Sequence, residues 1–186
     1  MIPKTMKAVV LTGLTPAEEV RLTDAPVPEM RPGWVLVKVK AFGLNHSEQI
    51  LRLGEIRADY IHKPIIPGIE CVGEAADPSD SPLEVGQKVA ALMGGMGRSF
   101  HGSYAGYALL PAHHVFPISS NLSWRELAAV PETWFTAWGS LFECLRLEPH
   151  DTLLIRGGVV CSTGILGGAS VLDGFDPIKD IPNGAY

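Results

Sequence analysis

The sequence predicts a mainly β protein with helices added behind the strands and the opening of an α/β unit at its end. Three observations predict this. Short apolar runs separated by turn residues fill the first 118 positions; the spacing Ser-x-x-Glu at 123–126 then opens two helical stretches; and a compact apolar run at 152–156 ends in Gly157-Gly158. Several short strands at such spacing make a barrel or a sandwich.

The elements follow in chain order. Residues 7–12 are a short apolar run ending at Gly13, and residues 20–22 a second, closed by Ala25-Pro26-Val27-Pro28. In residues 34–40, Val35, Val37 and Val39 alternate with Leu36, Lys38 and Lys40, the period of two of a half-buried strand. Residues 45–53 break that pattern: Ile50, Leu51 and Leu53 form one side of a short helix, with Asn45 as cap and Gly54 as stop. Strands follow at 69–74, within 85–92 where a turn feeds a strand, near 103–110 and at 114–118, with Asp77-Pro78-Ser79-Asp80 a turn and Gly94 to Gly97 a loop. Ser123-Trp124-Arg125-Glu126 has capping-box spacing, and Pro131 suits the first turn of a helix reaching about Arg146. On it Trp134, Phe135, Trp138, Leu141, Phe142 and Leu145 recur at three- and four-residue spacing, which predicts a core-facing stripe.

Bulk properties narrow the function classes. The 186 residues are 46% hydrophobic with a net charge of −5, and a chain this long buries roughly 70% of its unfolded surface in one core. Mild acidity argues against a nucleic-acid partner or an anionic membrane, either of which wants a basic stripe. No apolar run reaches the roughly 20 residues of a membrane span. The start, Met1 to Lys7, has no apolar signal core, so a cytoplasmic protein is expected. Cys71, Cys144 and Cys161 stand far apart and read as reduced, mostly buried small hydrophobes.

Four segments in order resemble the quinone oxidoreductase branch of the medium-chain dehydrogenases: Ala41-Phe42-Gly43-Leu44-Asn45, Pro67-Gly68-Ile69-Glu70-Cys71-Val72-Gly73, Gly102-Ser103-Tyr104-Ala105-Gly106-Tyr107 and Thr133-Trp134-Phe135-Thr136-Ala137-Trp138. The resemblance runs from about Met6 to Gly158. It implies a GroES-like, partly open β-barrel catalytic domain over residues 1–150 and, over 151–186, the remnant of a Rossmann-type sheet.

It also implies a catalytic centre without zinc. Zinc relatives keep a cysteine where this chain has Asn45, a histidine where it has Ile69 and another cysteine near Glu132, and the four-cysteine lobe is missing from 93–101. Tetrahedral zinc wants thiolate or imidazole donors, and an amide and an isoleucine supply no such pair. His46, His113 and His114 are the remaining imidazoles to weigh, but an adjacent pair on a strand points to opposite faces. Without a metal, the acceptor is polarised by hydrogen bonds and by the nicotinamide. The resemblance makes Asn45 and Ser47 the catalytic candidates, Asn45 donating to a carbonyl or touching the cofactor and Ser47 standing where zinc relatives keep a proton-relay hydroxyl. Thr136 matches a threonine beside the nicotinamide ring, and Gly157 and Gly158 end the strand that precedes the cofactor's glycine-rich turn. Asn45 as a plain helix cap and Ser47 as a plain first-turn residue are the bland alternatives. Glu48 and Glu70 match acidic positions of the zinc relatives and are expected to pair with nearby Arg or Lys. Tyr60, Phe100 and His101 lie in loops placed to line a substrate pocket.

After Gly158 the family's glycine-rich turn and helix, which would hold the NADPH pyrophosphate, do not follow. Val159-Val160-Cys161-Ser162-Thr163-Gly164 instead resembles a late strand of the same domain, and Gly174-Phe175-Asp176-Pro177-Ile178 the loop after it, as though an internal deletion joined them. Gly164-Ile165-Leu166-Gly167-Gly168 lacks the Lys-Ser/Thr of a phosphate loop. The expectation is therefore the substrate-side domain of an NADPH-dependent oxidoreductase for a small-molecule quinone or enone, inactive alone. An exposed sheet edge at 152–155 or 159–161 would invite pairing into a homodimer. The alternatives are a non-catalytic barrel module acting in assembly, as in the related chaperonin-10 fold, and a zinc alcohol dehydrogenase.

Overall fold

A computed structural model describes residues 1–154. It divides into two compact units, Met1–Pro131 and Glu132–Tyr186.

The first unit is built on a five-stranded antiparallel sheet in the order β6-β3-β4-β5-β7. Its strands are β3 (Trp34–Ala41), β4 (Glu70–Asp77), β5 (Lys88–Leu92), β6 (Tyr107–Pro111) and β7 (Val115–Pro117). A separate ribbon pairs β1 (Thr5–Val9) with β2 (Leu22–Pro26), from Thr5 opposite Pro26 to Val9 opposite Leu22. The second strand thus lies later than the apolar run at 20–22 suggests, and Pro26 falls on its last rung. Proline is tolerated there because a two-stranded ribbon has free edges that need no amide donor. An isolated bridge between Ala8 and Ala105, with Val9 N–H donating to Tyr104 O at 2.8 Å, ties the ribbon to the segment ahead of β6.

The alternation in β3 holds only in part: Val35 and Val37 are buried, and so is Leu36 on the opposite face. Val35 and Val37 join Cys71, Ala75, Val89, Ala91, Ala108, Leu110 and Val115 in the main core. Behind β4, Val72 packs on Leu127 and Ala128, the last against the end of α2 (Trp124–Leu127), so this part of the sheet is covered on both faces. Ser123 caps α2 as its spacing predicts, its Oγ accepting from Glu126 N–H at 3.3 Å while Glu126 Oε2 accepts from Ser123 N–H at 2.9 Å. This is the partly open, mainly β architecture expected from the sequence.

Helix α1 (His46–Leu53) lies between β3 and β4. Its buried face is not the one its apolar residues suggest. Leu51 is buried with Leu11, Ile56, Ile61 and Ile65, whereas Ile50 and Leu53 are exposed. The partner of Leu51 on that face, one turn earlier, is Glu48, itself buried. Residues three apart share a helix face, so burying Leu51 carries the carboxylate inward with it.

In the second unit, α3 (Pro131–Trp138) continues into a π-helical turn, Gly139–Cys144. The aromatic stripe is not core: Trp134, Phe135, Trp138 and Leu145 are exposed. Cys144 is exposed as well, against the expectation of burial, while Cys71 is buried. Residues 152–154 form no strand. Ile155 to Tyr186, and with them Gly157, Gly158, Cys161, the expected Rossmann remnant and most of the proposed pairing edge, lie outside the described residues. Among the described residues no helix is long and apolar enough to cross a membrane.

Candidate active site

The site grows from the junction of β3, α1 and β4. Register shifts at Leu36/Val37 and Val39/Ala41 mark irregular pairing along β3, and the chain leaves it through Phe42-Gly43-Leu44 to Asn45. Asn45 is extended, with φ −109° and ψ 151°, as an N-cap must be. Its backbone N–H donates to Glu48 Oε2 at 2.9 Å, the carboxylate half of a capping box. The other oxygen of Glu48 reaches across to the start of β4 and accepts from Ile69 N–H at 3.0 Å. One residue on, Glu70 Oε1 accepts from Asn45 Nδ2 at 2.8 Å. Both carboxylates are buried. Glu48 takes hydrogen bonds from the Asn45 and Ile69 main chains and feels the charge of Arg98, and Glu70 takes one from the Asn45 amide.

Two opposed effects act on Glu48. Burial penalises the charged form and pushes its carboxyl above the usual carboxylate range, while the N–H groups of its own residue, Asn45 and Ile69, and the positive charge of Arg98, pull it back. Burial wins.

Ser47 belongs to a second polar chain. Arg98 Nη2 donates to Ser47 Oγ at 2.9 Å and to Ser47 O at 3.0 Å. The same guanidinium is paired with Glu55 at 2.8 Å, through both Nε and Nη2. Tyr60 completes the chain by donating its hydroxyl to Glu55 Oε1 at 2.8 Å. The Arg98 hydrogen bond holds the Glu55 carboxyl below its ordinary range, and the Glu55 acceptor raises the Tyr60 phenol. Since Arg98 occupies the Ser47 hydroxyl as an acceptor, the hydroxyl proton is free to donate.

Glycines bring the sequence segments into contact. At Gly68 (φ +108°) a side chain would strike Ser103, and at Gly102 it would strike the carbonyl oxygens of Pro67 and Gly68. In the same place Gly102 N–H donates to Ile66 O at 2.7 Å and Tyr104 N–H to Pro67 O at 3.0 Å. The Pro67-Gly68-Ile69-Glu70 and Gly102-Ser103-Tyr104 segments therefore lie against each other, and the Tyr104 ring stacks on Phe42 at 4.5 Å. Burial drives the Tyr104 phenol upward.

Asn45 and Ser47 are thus brought into one helical turn, both half-buried. Thr136 belongs to the second unit, where its hydroxyl donates to Glu132 Oε1 at 2.9 Å and its side chain is exposed. A cavity of about 430 Å³ in the first unit is lined by Arg31, Lys63, Phe100 and His101 among others, but by neither Tyr60, Asn45 nor Ser47. His101 is held there by Ile66 N–H, which donates to its Nδ1 at 3.3 Å. His113 and His114 are not on a strand: they sit in a 3-10 turn, Ala112–His114, with their rings 4.1 Å apart. Among the described residues no three His, Cys, Asp or Glu side chains gather as a metal site would require. Sequence reasoning missed Arg98 and the Ile69 N–H contact, neither of which leaves a local pattern; the Asn45-x-x-Glu48 spacing was the visible trace of the capping box.

Comparison with known proteins supports this reading of the fold. Residues 31–120 match the alcohol dehydrogenase GroES-like domain. The chain is 34% identical over 170 residues to a synaptic vesicle membrane protein VAT-1 homolog-like of Mus musculus, covering 85% of this chain and 39% of that protein. Among solved structures it is similar to the quinone oxidoreductase from Thermus thermophilus, studied also with NADPH, at 29% identity and a TM-score of 0.70, covering 91% of this chain and 51% of that one. The quinone oxidoreductase from Coxiella burnetii gives 25% identity and a TM-score of 0.73, over 83% of this chain and 50% of that one. The chain therefore spans between 39% and 51% of the length of these relatives. It belongs to the medium-chain dehydrogenase/reductase family, in its quinone oxidoreductase-like branch.

Proposed function

We propose that this chain is the substrate-side domain of a zinc-independent, NADPH-dependent reductase of quinones or enones. The observation that carries the reading is the Asn45 amide, held by Glu70 at 2.8 Å and set on the Glu48-capped turn of α1. The donor set fits no zinc: position 45 offers an amide whose nitrogen faces a carboxylate, and position 69 a buried isoleucine. No step is routed through a metal.

NADPH, when bound, supplies the hydride. Asn45 is the residue of the first unit that would meet its nicotinamide end; Thr136, Gly157 and Gly158 are cofactor candidates by resemblance alone. The chain's own residues polarise the acceptor and manage the proton. The free amide proton of Asn45 donates to a carbonyl oxygen of the quinone or enone, favouring negative charge there as the acceptor takes the electron pair of the hydride. The Ser47 hydroxyl, held by Arg98, donates its proton to the reduced substrate and is reprotonated from water. Hydride plus proton makes hydroquinone from quinone, or the saturated ketone from enone.

Hydride transfer needs the reactive carbon of the cofactor held against the substrate. Since the family's glycine-rich turn does not follow Gly158, we expect the chain alone neither to bind NADPH tightly nor to turn over. The test is a chimera that adds the nucleotide-binding domain of the Thermus thermophilus relative after residue 156. We expect chelator-insensitive NADPH oxidation with duroquinone or cyclohexenone in the chimera and none in the chain by itself. Micromolar NADPH affinity in the chain alone overturns the incompleteness; a chimera that binds NADPH yet reduces neither acceptor overturns the oxidoreductase reading and leaves a non-catalytic barrel module.

A further inference from the structure

We infer that Glu70, admitted by Gly43, is the positioning residue that fixes the Asn45 amide as a hydrogen-bond donor toward substrate; this rests on the role proposed for Asn45 above. A terminal amide can rotate by half a turn about its last bond, exchanging an oxygen for a nitrogen at nearly the same place. In a site meant to polarise a carbonyl, one orientation donates and the other repels. Something has to choose.

The choice is made by a buried carboxylate. Glu70 Oε1 lies 2.8 Å from Asn45 Nδ2, and a carboxylate oxygen accepts but does not donate. Rotating the amide would set Asn45 Oδ1 against that oxygen, acceptor against acceptor, inside the protein. On the other side, a capping box relates the Asn45 side chain to the first turn of α1, where Glu48 N–H donates to Asn45 O at 3.2 Å. Of the two amide protons one goes to Glu70, and among the described residues none accepts the second. That proton is the donor left for a carbonyl oxygen.

Gly43 makes the arrangement sterically accessible. A Cβ at position 43 would overlap Glu70 Oε1 and approach its Cδ to 3.0 Å, with Ala128 O at 3.6 Å behind it. The backbone at 43 gives way to the carboxylate, two residues before the amide it orients. Glu70 in turn begins β4, paired opposite Leu92, so its position is set by the sheet. The ligand selected is a neutral carbonyl acceptor, and the selectivity is for acceptor oxygen over donor groups of similar shape.

The test uses the full chain, nitrogen-15 labelled, with two variants that remove the clamp by different routes, Glu70→Gln and Gly43→Ala. Glu70→Gln keeps shape while allowing both amides to flip together. Gly43→Ala keeps the carboxylate but displaces it. In the unaltered chain the two Asn45 side-chain amide protons should resonate far apart, one protected from exchange, and duroquinone should move the other. Each variant should merge their exchange behaviour and weaken duroquinone about 5-fold, the loss of one oriented hydrogen bond, while 4-aminophenol, a donor of similar shape, gains relative to the quinone. A merely structural role would lower the melting temperature without changing that ratio. If duroquinone moves Asn45 equally in the unaltered chain and both variants, the inference falls and the functional reading stands. If duroquinone moves no Asn45 proton in the unaltered chain, the functional reading falls, and this inference with it.

Discussion

Replacing Glu48 by leucine removes a single carboxylate and orphans donors in two elements. Asn45 N–H at 2.9 Å and Ile69 N–H at 3.0 Å both lose their acceptor. A buried donor left unsatisfied costs about 1–3 kcal/mol. Ile69 is 6% exposed and meets the upper part of that range, whereas Asn45 is half-buried and water can replace part of its bond. Against this stands relief from burying the carboxylate, whose raised pKa shows that the charged form is disfavoured there. The balance is a loss of about 2–3 kcal/mol near neutral pH. Glutamine keeps one acceptor oxygen and turns an amide nitrogen toward the other N–H, which should cost about 1–2 kcal/mol.

The two variants should also differ from the unaltered chain in their pH dependence. A carboxyl whose folded pKa lies above its unfolded value binds its proton more tightly in the folded state. Its stabilising contribution is complete below the unfolded pKa and is lost as pH rises through the folded one. For Glu48 the window opens at the ordinary value of 4.5 and extends upward. The difference between the unaltered chain and Glu48→Gln should therefore be largest below pH 4.5 and shrink toward neutrality, other carboxylates cancelling because both proteins share them. Urea unfolding at a series of pH values, with the m-value checked for constancy, measures both quantities. A leucine variant within about 0.5 kcal/mol of the parent at pH 7, the usual scatter of an inconsequential substitution, or a glutamine difference that grows with pH, would refute the reasoning.

Three other outcomes are expected. Leu51→Ala, at a fully buried position among Leu11, Ile56, Ile61 and Ile65, should cost about 3–5 kcal/mol by urea unfolding, while Leu53→Ala on the exposed face should change stability by less than about 0.5 kcal/mol. Arg98→Ala should cost about 2 kcal/mol, since it strips Glu55 and Ser47 of a fork of hydrogen bonds one-fifth exposed; Arg98→Lys should recover less than half, because an ammonium cannot span both partners. In thiol labelling at pH 8 followed by peptide mapping, Cys144 should react promptly, whereas Cys71, buried and with its thiol pushed up to about 12, should react only as fast as the protein unfolds.

Much of the β architecture was legible because its signals are local. Val35, Val37 and Val39 announce β3, and Ser123 with Glu126 announces α2. What could not be read depends on partners far along the chain. Leu36 is buried although it faces away from Val35 and Val37, and nothing within residues 34–40 says so. The aromatic run from Trp134 to Leu145 has the spacing of a core stripe, yet periodicity reports which residues share a face and not what lies opposite. His113 and His114 follow Pro111, and the turn that begins there brings their rings together where a strand would have parted them. Within the site, Asn45 and Ser47 were identifiable by resemblance and Glu48 by its spacing from the cap. The bond from Glu48 to Ile69, and the passage of Arg98 to Ser47 over 51 residues, exist only once the chain has folded.

The hydrogen bonds described around Asn45 join residues 45–70, inside one compact unit. Such a segment works as a jig, seated on the sheet through the pairing of Glu70 with Leu92. A single methyl group at Gly43 would spoil the setting at once.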